Sequence, residues 1–308
     1  MSLVLTRPEI SMPQMAFMTD AAQEILQFAA DSVDEGFETA LVTLVEIRSG
    51  AARALGAQMA VRRDGLYCGY VSGGCTEAAV AAEALQAIAG GNDRFLRLGE
   101  GSRFFDIVLP CGGGITLAIH VLRDNLSLRS VLEGLKSRRR MGLRYDAGAQ
   151  SLEVAAFPAK DAWDGEHLSR GYRPRPRLLL SGRSIEAERT AKLAASTGYE
   201  VVRREDGANL LGGALPDHDM AVVLLHHDLD LELPVLRAAL DGNPFYIGAL
   251  GSSKTHERRS AALKELGYEQ AAIDRIKAPI GVIAKARDAN TLALSVLGDV
   301  AAAYAISR

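Results

Sequence analysis

The sequence predicts a two-domain α/β protein whose second half is a doubly wound parallel sheet. Three observations carry this. From Leu178 onward, strand-sized apolar runs alternate with helical periods across short loops, the pattern of a parallel sheet covered on both faces. Before about residue 160, β-rich runs and a hairpin signal alternate with helices and glycine-rich loops, which predicts a separate N-terminal α/β domain. Between them, Lys160 to Arg177 shifts to Asp, Gly, Arg and Pro, and Arg173-Pro174-Arg175-Pro176 reads as a semi-rigid linker because proline fixes φ. The expected domains are 1–165 and 176–308.

In order, Thr19 is the expected N-cap of a helix from Asp20 to about Val33, with Ile25, Phe28 and Ala29 on its apolar face. Thr39–Ile47 is rich in β-branched residues and reads as a strand. Met59–Val61 and Leu66–Val71 flank Asp64-Gly65, a hairpin turn signal. The second hairpin strand runs into Ser72-Gly73-Gly74-Cys75 and an alanine-rich helix ending near Gly90-Gly91. Phe104–Leu109 and Ile115–Leu122 read as strands around Pro110-Cys111-Gly112-Gly113-Gly114, followed by a helix near Ser127–Ser137 and a hairpin through Leu143–Phe157. In the second half, strands are expected at Leu178–Ser181, Glu200–Arg204, Met220–Leu225 and Phe245–Leu250. Helices are expected at Ile185–Thr197, Glu232–Leu240, Lys254–Leu266 and about Asp288–Ala303.

Composition sets bounds on function. The chain has 308 residues, 48% hydrophobic and 24% charged, as in globular proteins that bury a core. A net charge of -3 gives no electrostatic reason to expect nucleic acid or an anionic membrane. No basic and apolar leader pattern opens the sequence, and three cysteines are too few for a disulfide framework, so a cytoplasmic protein with reduced thiols is expected.

Four constellations are candidates for chemistry. Ser72, Gly73, Gly74 and Cys75 open a helix, where backbone N–H groups and the helix dipole suit a bound anion or a lowered thiol pKa. The alternative is a buried cysteine in a tight turn. Cys111 precedes Gly112 and Gly113, and glycines at a strand end mark the close approach of a ligand or another backbone. Cys68 lies within a strand and reads as structural, and no zinc ligand spacing is present. Gly182-Arg183-Ser184-Ile185-Glu186-Ala187 occupies the place of a dinucleotide phosphate loop in a Rossmann-like sheet, with Glu205 and Asp206 downstream. Ser184 replaces the second glycine there, which weakens the case for NAD(P). His226-His227-Asp228 and Gly251-Ser252-Ser253-Lys254 fall where loops leave the carboxyl edge of that sheet, the usual ligand edge.

Arg53, Gly56-Ala57-Gln58-Met59, Val71-Ser72-Gly73-Gly74-Cys75 with Glu77, and Cys111-Gly112-Gly113 resemble the XdhC/CoxI family, accessory proteins of xanthine-dehydrogenase-type molybdoenzymes. So do His227-Asp228, Phe245-Tyr246-Ile247-Gly248, Gly251-Ser252, Ala278-Pro279-Ile280-Gly281 and Ala293-Leu294-Ser295. The resemblance implies a carrier that binds molybdenum cofactor (molybdopterin) and delivers it to an apo-molybdoenzyme of the xanthine dehydrogenase family. It also implies a cysteine desulfurase as a further partner and a homodimer. By the same resemblance Cys75 and Cys111 are the candidate metal ligands. The cofactor-binding candidates add Ser72, Gly73, Gly74, Gly112, Gly113, Arg53, Gly182, His227, Asp228, Gly251 and Ser252. The chain departs from the family at Ser49-Gly50, where Gly-Ser is usual, and at Gly182–Ala187, where G-A-G-H-V-A is common. It also departs at Ile283, Lys285, Asp288 and Ala289 before the last helix. The rival reading is an NAD(P)-dependent oxidoreductase acting through the second domain with His227 as acid–base residue.

Overall fold

The computed structural model describes residues 12–74, 76–99, 113–204, 212–226 and 228–307. It divides between Pro174 and Arg175 into two units. The first contains β1 (Gln14–Phe17), α1 (Ala22–Asp34), β2 (Thr39–Arg48), β3 (Gln58–Arg62), β4 (Leu66–Gly69), α2 (Glu77–Gly90) and β5 (Arg94–Gly99). β6 (Gly114–Val121), α3 (Leu126–Lys136), β7 (Met141–Asp146), β8 (Ser151–Ala155), β9 (Ala162–Trp163) and β10 (His167–Tyr172) complete it.

Its main sheet has the order β1-β4-β3-β2-β6-β5 among the described residues. β1 lies parallel to β4 and the other pairs are antiparallel. Alternation along β2 assigns the two faces. Ala40, Val42 and Leu44 pack with Met59 and Val61 under Val80, Ala84, Leu85 and Ile88 of α2. Leu41, Ala60 and Cys68 face Ile25, Leu26 and Ala29 of α1 and Leu128, Val131 and Leu135 of α3. Cys68 is fully buried, and burial pushes its thiol up to about 12, which fits a structural role. A second antiparallel sheet, β8-β7-β10-β9, meets the first through a buried carboxylate. Asp93 accepts hydrogen bonds from the Val121 N–H (2.9 Å) and the Tyr145 hydroxyl (2.9 Å) and contacts His120 Nδ1 at 2.7 Å.

Several expectations move. The first helix starts at Ala22 with Ala21 at the N-cap; Thr19 instead accepts the Ala21 N–H at 3.1 Å and donates to Glu24 at 2.6 Å. The expected strand Phe104–Leu109 lies outside the described residues, whereas Arg94–Gly99, not expected as a strand, pairs with β6 along its whole length. β10 begins two residues beyond the expected domain end at 165 and pairs with β7 over six residues, so it belongs to the first unit.

The second unit runs β11 (Arg177–Ser181), α4 (Ile185–Ser196), β12 (Glu200–Arg204), β13 (Met220–Leu224), α5 (Leu229–Asp241), β14 (Tyr246–Ala249), α6 (Ser253–Glu265), α7 (Gln270–Ile273), β15 (Ile276–Lys277) and α8 (Ala289–Ile306). Its sheet is parallel throughout, in the order β12-β11-β13-β14-β15, so the chain reverses direction across the sheet between β11 and β13. Leu179, Val222, Leu224 and Ile247 face α5 and α6 through Leu236, Ala239 and Leu263. Leu178, Leu180, Ala221 and Val223 face α4 and α8 through Ala187, Ala194, Leu292 and Val296. This is the doubly wound arrangement expected from the alternation. α8 is long and apolar enough to span a bilayer by length and composition alone, but Leu292, Val296 and Val300 on one side of it form this core.

Candidate functional site

Strand polarity in the first unit brings the marked loops to one end of the sheet. Arg48 at the end of β2 pairs with Gly114 at the start of β6, which pairs with Gly99 at the end of β5. Met59 near the start of β3 pairs with Gly69 at the end of β4. The segments 49–57, 70–76 and 100–113 therefore all leave the same edge. Cys75, Cys111 and Gly112 themselves lie outside the described residues. The roots of the two cysteine-bearing segments, β4 and β6, are three strand spacings apart, roughly 14 Å.

Gly113 explains one glycine run. A Cβ there would lie 2.6 Å from the Arg48 carbonyl oxygen and would run into the Gly50 carbonyl. The close partner is thus backbone of the neighbouring turn, in which Ser49 takes φ +66° and the Gly50 N–H donates to the Arg48 carbonyl at 2.9 Å. Arg53 belongs to the same segment. It pairs with Asp20 at 2.9 Å and lies over the Tyr70 ring at 5.5 Å, while a Cβ on Gly73 would sit 3.1 Å from Ala52. Gly56 and Gln58, also in the family motif, are structural: Gly56 leaves room for the Arg170–Asp161 pair, and Gln58 is buried between Thr43 (3.2 Å) and the Tyr172 hydroxyl (2.9 Å).

The loop after β4 departs from the expected mechanism. Its backbone donors were expected to hold a ligand's anion, but they converge on the protein's own Glu77. Oε1 accepts from the N–H groups of Val71 (3.1 Å), Ser72 (2.9 Å) and Gly73 (3.1 Å), and Oε2 from those of Gly74 (2.9 Å) and Thr76 (3.2 Å). The Ser72 hydroxyl reaches both oxygens, at 3.0 and 2.9 Å. Gly73 and Gly74, at φ +103° and +108°, turn the backbone so that these N–H groups point inward. Glu77 is 2% exposed; burial raises its pKa, yet the hydrogen bonds from Ser72 and its neighbours outweigh that and hold it below the usual value. The partial positive charge of the α2 N-terminus thus already faces a carboxylate. Thr76 stands at the N-cap, and its buried hydroxyl has no hydrogen-bond partner. Reading the residues in order marks Glu77 as part of a motif without giving its role; a carboxylate at the first helical position after a glycine loop is the signal that finds it.

In the second unit, Gly182, Asp228, Gly251 and Ser252 follow the adjacent strands β11, β13 and β14 and share the carboxyl edge of the sheet. His227 lies outside the described residues, as do Glu205 and Asp206. Gly182 serves close packing, since a Cβ would lie 3.0 Å from the Leu225 carbonyl oxygen. Ser184 caps α4 through the Ala187 N–H at 3.4 Å, so the residue that replaces the second glycine also takes up a donor that a phosphate would use. Asp228 caps α5 through the Asp230 N–H at 3.0 Å, and Ser252 caps α6 through the Thr255 N–H at 3.3 Å. His226 is buried with its Nε2 2.8 Å from the Ser181 hydroxyl.

Behind these caps lies a pair that the sequence does not single out. Arg259 of α6 is fully buried and bonds Glu232 of α5 through Nε (2.8 Å) and Nη2 (3.0 Å), and Nη2 also donates to the Leu250 carbonyl at 2.9 Å. One guanidinium thus ties the first turn of α5 to the start of the loop after β14. The motif residues near the end of the chain are likewise structural: Asp299 on α8 accepts from the Tyr246 hydroxyl (2.7 Å) and the Gly281 N–H (3.0 Å), and Ser295 accepts the Ile283 N–H at 2.7 Å. Among the described residues, one group combines histidine and carboxylates closely enough for a metal, Asp146, Glu166 and His167. It is partly exposed on the second sheet of the first unit, and its His167 already pairs with Asp146 and Asp164.

Comparison with known proteins agrees with this architecture. Residues 32–99 match the model of the XdhC and CoxI family, and residues 178–300 match that of the XdhC Rossmann domain. Over 94% of this chain and 91% of the relative, the sequence is 53% identical to the molybdenum cofactor insertion chaperone PaoD of Escherichia coli. It is 25% identical to a probable xanthine dehydrogenase subunit of Bacillus subtilis, over 85% of this chain and 92% of that one. The fold is shared with a crystal structure described as a xanthine dehydrogenase from Bacillus halodurans, with a TM-score of 0.72 at 18% identity over 94% of this chain and 97% of the other. With two family models matched in order along its length and 53% identity to a relative over 94% of this chain, the chain belongs to the XdhC/CoxI family.

Proposed function

We propose that the protein is a molybdenum cofactor chaperone that binds the cofactor at the loop end of its first unit and passes it to an apo-molybdoenzyme of the xanthine dehydrogenase class. The observation that carries this reading is topological. The segments bearing Cys75 and Cys111 leave one sheet edge, beside a loop whose backbone donors are organised around an anion. The fit is chemical: thiolates suit molybdenum, and a donor-rich loop with an orphaned buried hydroxyl, Thr76 Oγ1, suits a pterin phosphate. When bound, the cofactor supplies a molybdenum centre for the client enzyme. This chain's residues would hold and shield it, with Cys75 and Cys111 at the metal or its sulfur. The 53% identity to a cofactor insertion chaperone supports the same reading. Cytoplasmic location, a homodimer and a desulfurase as sulfur donor complete the proposal. The NAD(P) rival gains nothing from a loop in which Ser184 uses the helix donor.

The test is molybdenum and pterin content after anaerobic incubation of the purified chain with cofactor, for wild type, Cys75→Ala and Cys111→Ala. Stoichiometric retention by the wild type, lost in both variants with the fold intact by circular dichroism, is expected. Unchanged retention in both variants would overturn the assignment.

A further inference from the structure

The Glu77 loop holds more donors than a carboxylate can satisfy. Oε1 alone receives three backbone N–H groups and the Ser72 hydroxyl, and Oε2 receives two N–H groups and the same hydroxyl. A carboxylate offers about four lone-pair sites in all, two on each oxygen. A helix start normally needs one or two such bonds. A further donor, the Thr76 hydroxyl, is buried in the same loop without any acceptor, and Thr76 is 5% exposed. The surplus and the orphan suit a group with three strongly accepting oxygens, which is a phosphate monoester. Access is not closed: Gly73 and Gly74 are exposed, and a Cβ on Gly74 would meet nothing within 4 Å.

We propose that the 71–77 loop is an oxyanion site that the protein closes with its own Glu77 carboxylate, and that a phosphate monoester of the cofactor displaces Glu77 on binding. The inference rests on the carrier reading above and adds the subsite and its guard. Glu77 is tethered at the first residue of α2, so it competes as an intramolecular anion, and the apparent affinity for an external one falls by the fraction of loops it leaves open. Without incoming phosphate Glu77 gathers the backbone donors and keeps the loop shaped, with the Thr76 hydroxyl left over. With it, Glu77 turns to water at the exposed glycine rim.

The competing role, a carboxylate that only braces the loop, predicts the opposite sign in a binding experiment. Inorganic phosphate is titrated against the full-length wild type and Glu77→Ala in chloride buffer, followed by calorimetry and thermal unfolding. Phosphate binding at least tenfold tighter in the variant, with a phosphate-dependent rise in its Tm that the wild type lacks, is expected. A folded Glu77→Ala that binds phosphate no better than the wild type overturns the inference. If the alanine variant does not fold, Glu77→Gln is judged by the same criterion, because the amide keeps the shape and removes the charge. Cofactor retention separates this inference from the reading beneath it. A wild type that retains cofactor beside a folded variant that retains it less overturns the displacement and leaves the carrier. A variant that gains phosphate while the wild type retains no cofactor supports the oxyanion site and removes the carrier.

Discussion

The loop after β4 and the loop after β11 both lead an apolar strand into a helix through glycine and serine, Ser72-Gly73-Gly74 in one case and Gly182-Arg183-Ser184 in the other. In the first, five backbone N–H groups and a hydroxyl gather on buried Glu77, while the N-cap residue of α2 makes no side-chain bond. In the second, Ser184 caps α4 with one local bond to the Ala187 N–H, and the first-turn carboxylate Glu188 pairs outward with Lys192 and Arg203. The contrast extends to both units. None of α1, α2 and α3 has a side-chain N-cap bond, whereas in the second unit α4, α5, α6 and α8 are capped by Ser184, Asp228, Ser252 and Asp288 and only the single-turn α7 is uncapped. Short caps stabilise a helix start without building a place for a ligand. A charge sunk under a glycine loop turns several backbone donors toward one point.

The sharpest way to break this comparison lies behind the capped edge, where the second unit hides its own charge. Glu232→Ala strands fully buried Arg259, and loss of one partner of such a pair costs about 3–5 kcal/mol. Urea unfolding should show this loss, with a lower midpoint at unchanged slope. A loss below about 1 kcal/mol would mean that the caps alone hold that edge. Next comes Glu77→Gln in the absence of phosphate. It replaces charge-assisted bonds with neutral ones and turns an amide N–H₂ toward N–H groups, so a loss of about 1.5–3 kcal/mol is expected from the same measurement. Ser184→Ala removes a single cap and should cost about 1 kcal/mol. If Ser184→Ala costs more than Glu77→Gln, the two loops do not differ as described.

The doubly wound second unit was legible because three of its strands, β11, β13 and β14, are short apolar runs each followed by a helix, and the alternation of Leu178, Leu179 and Leu180 between two cores bears this out. β5 and β10 were not legible for a different reason. Arg94-Phe95-Leu96-Arg97 sets two adjacent apolar residues between arginines, with only Leu96 and Leu98 buried, too little apolar pattern to mark a strand before β6 pairs with it. His167–Tyr172 lies in a polar stretch that becomes strand only because β7 pairs with it. Of the candidate site, the glycines could be read from sequence but their causes could not. Gly113 answers to the backbone of Gly50, Gly56 to Arg170 and Gly182 to Leu225, all partners distant in sequence. The role of Glu77, and Arg259 altogether, escaped because the meaning of a charged residue depends on burial, which sequence does not display. The placement of Cys75, Cys111, Gly112 and His227 falls outside the described residues.

The smallest effect tests the turn that underlies the first unit's loop end. Ser49 holds φ +66° where the family usually has glycine, beside Gly50 and pressed against Gly113. A left-handed conformation costs a residue with a Cβ roughly 1–2 kcal/mol, while glycine gives back about 0.5–1 kcal/mol through the greater freedom it loses on folding. Ser49→Gly should therefore stabilise the protein by about 0.5 kcal/mol, which for a unit of this size raises Tm by roughly 1–2 °C. Gly113→Ala is its counterpart, since the added methyl would run into the same turn and should lower Tm by several times that shift. If Ser49→Gly lowers Tm instead, the stiffness of serine outweighs its strain. The reversed Ser49-Gly50 order would then be an adaptation of this turn to its neighbour Gly113 rather than a tolerated departure from the family.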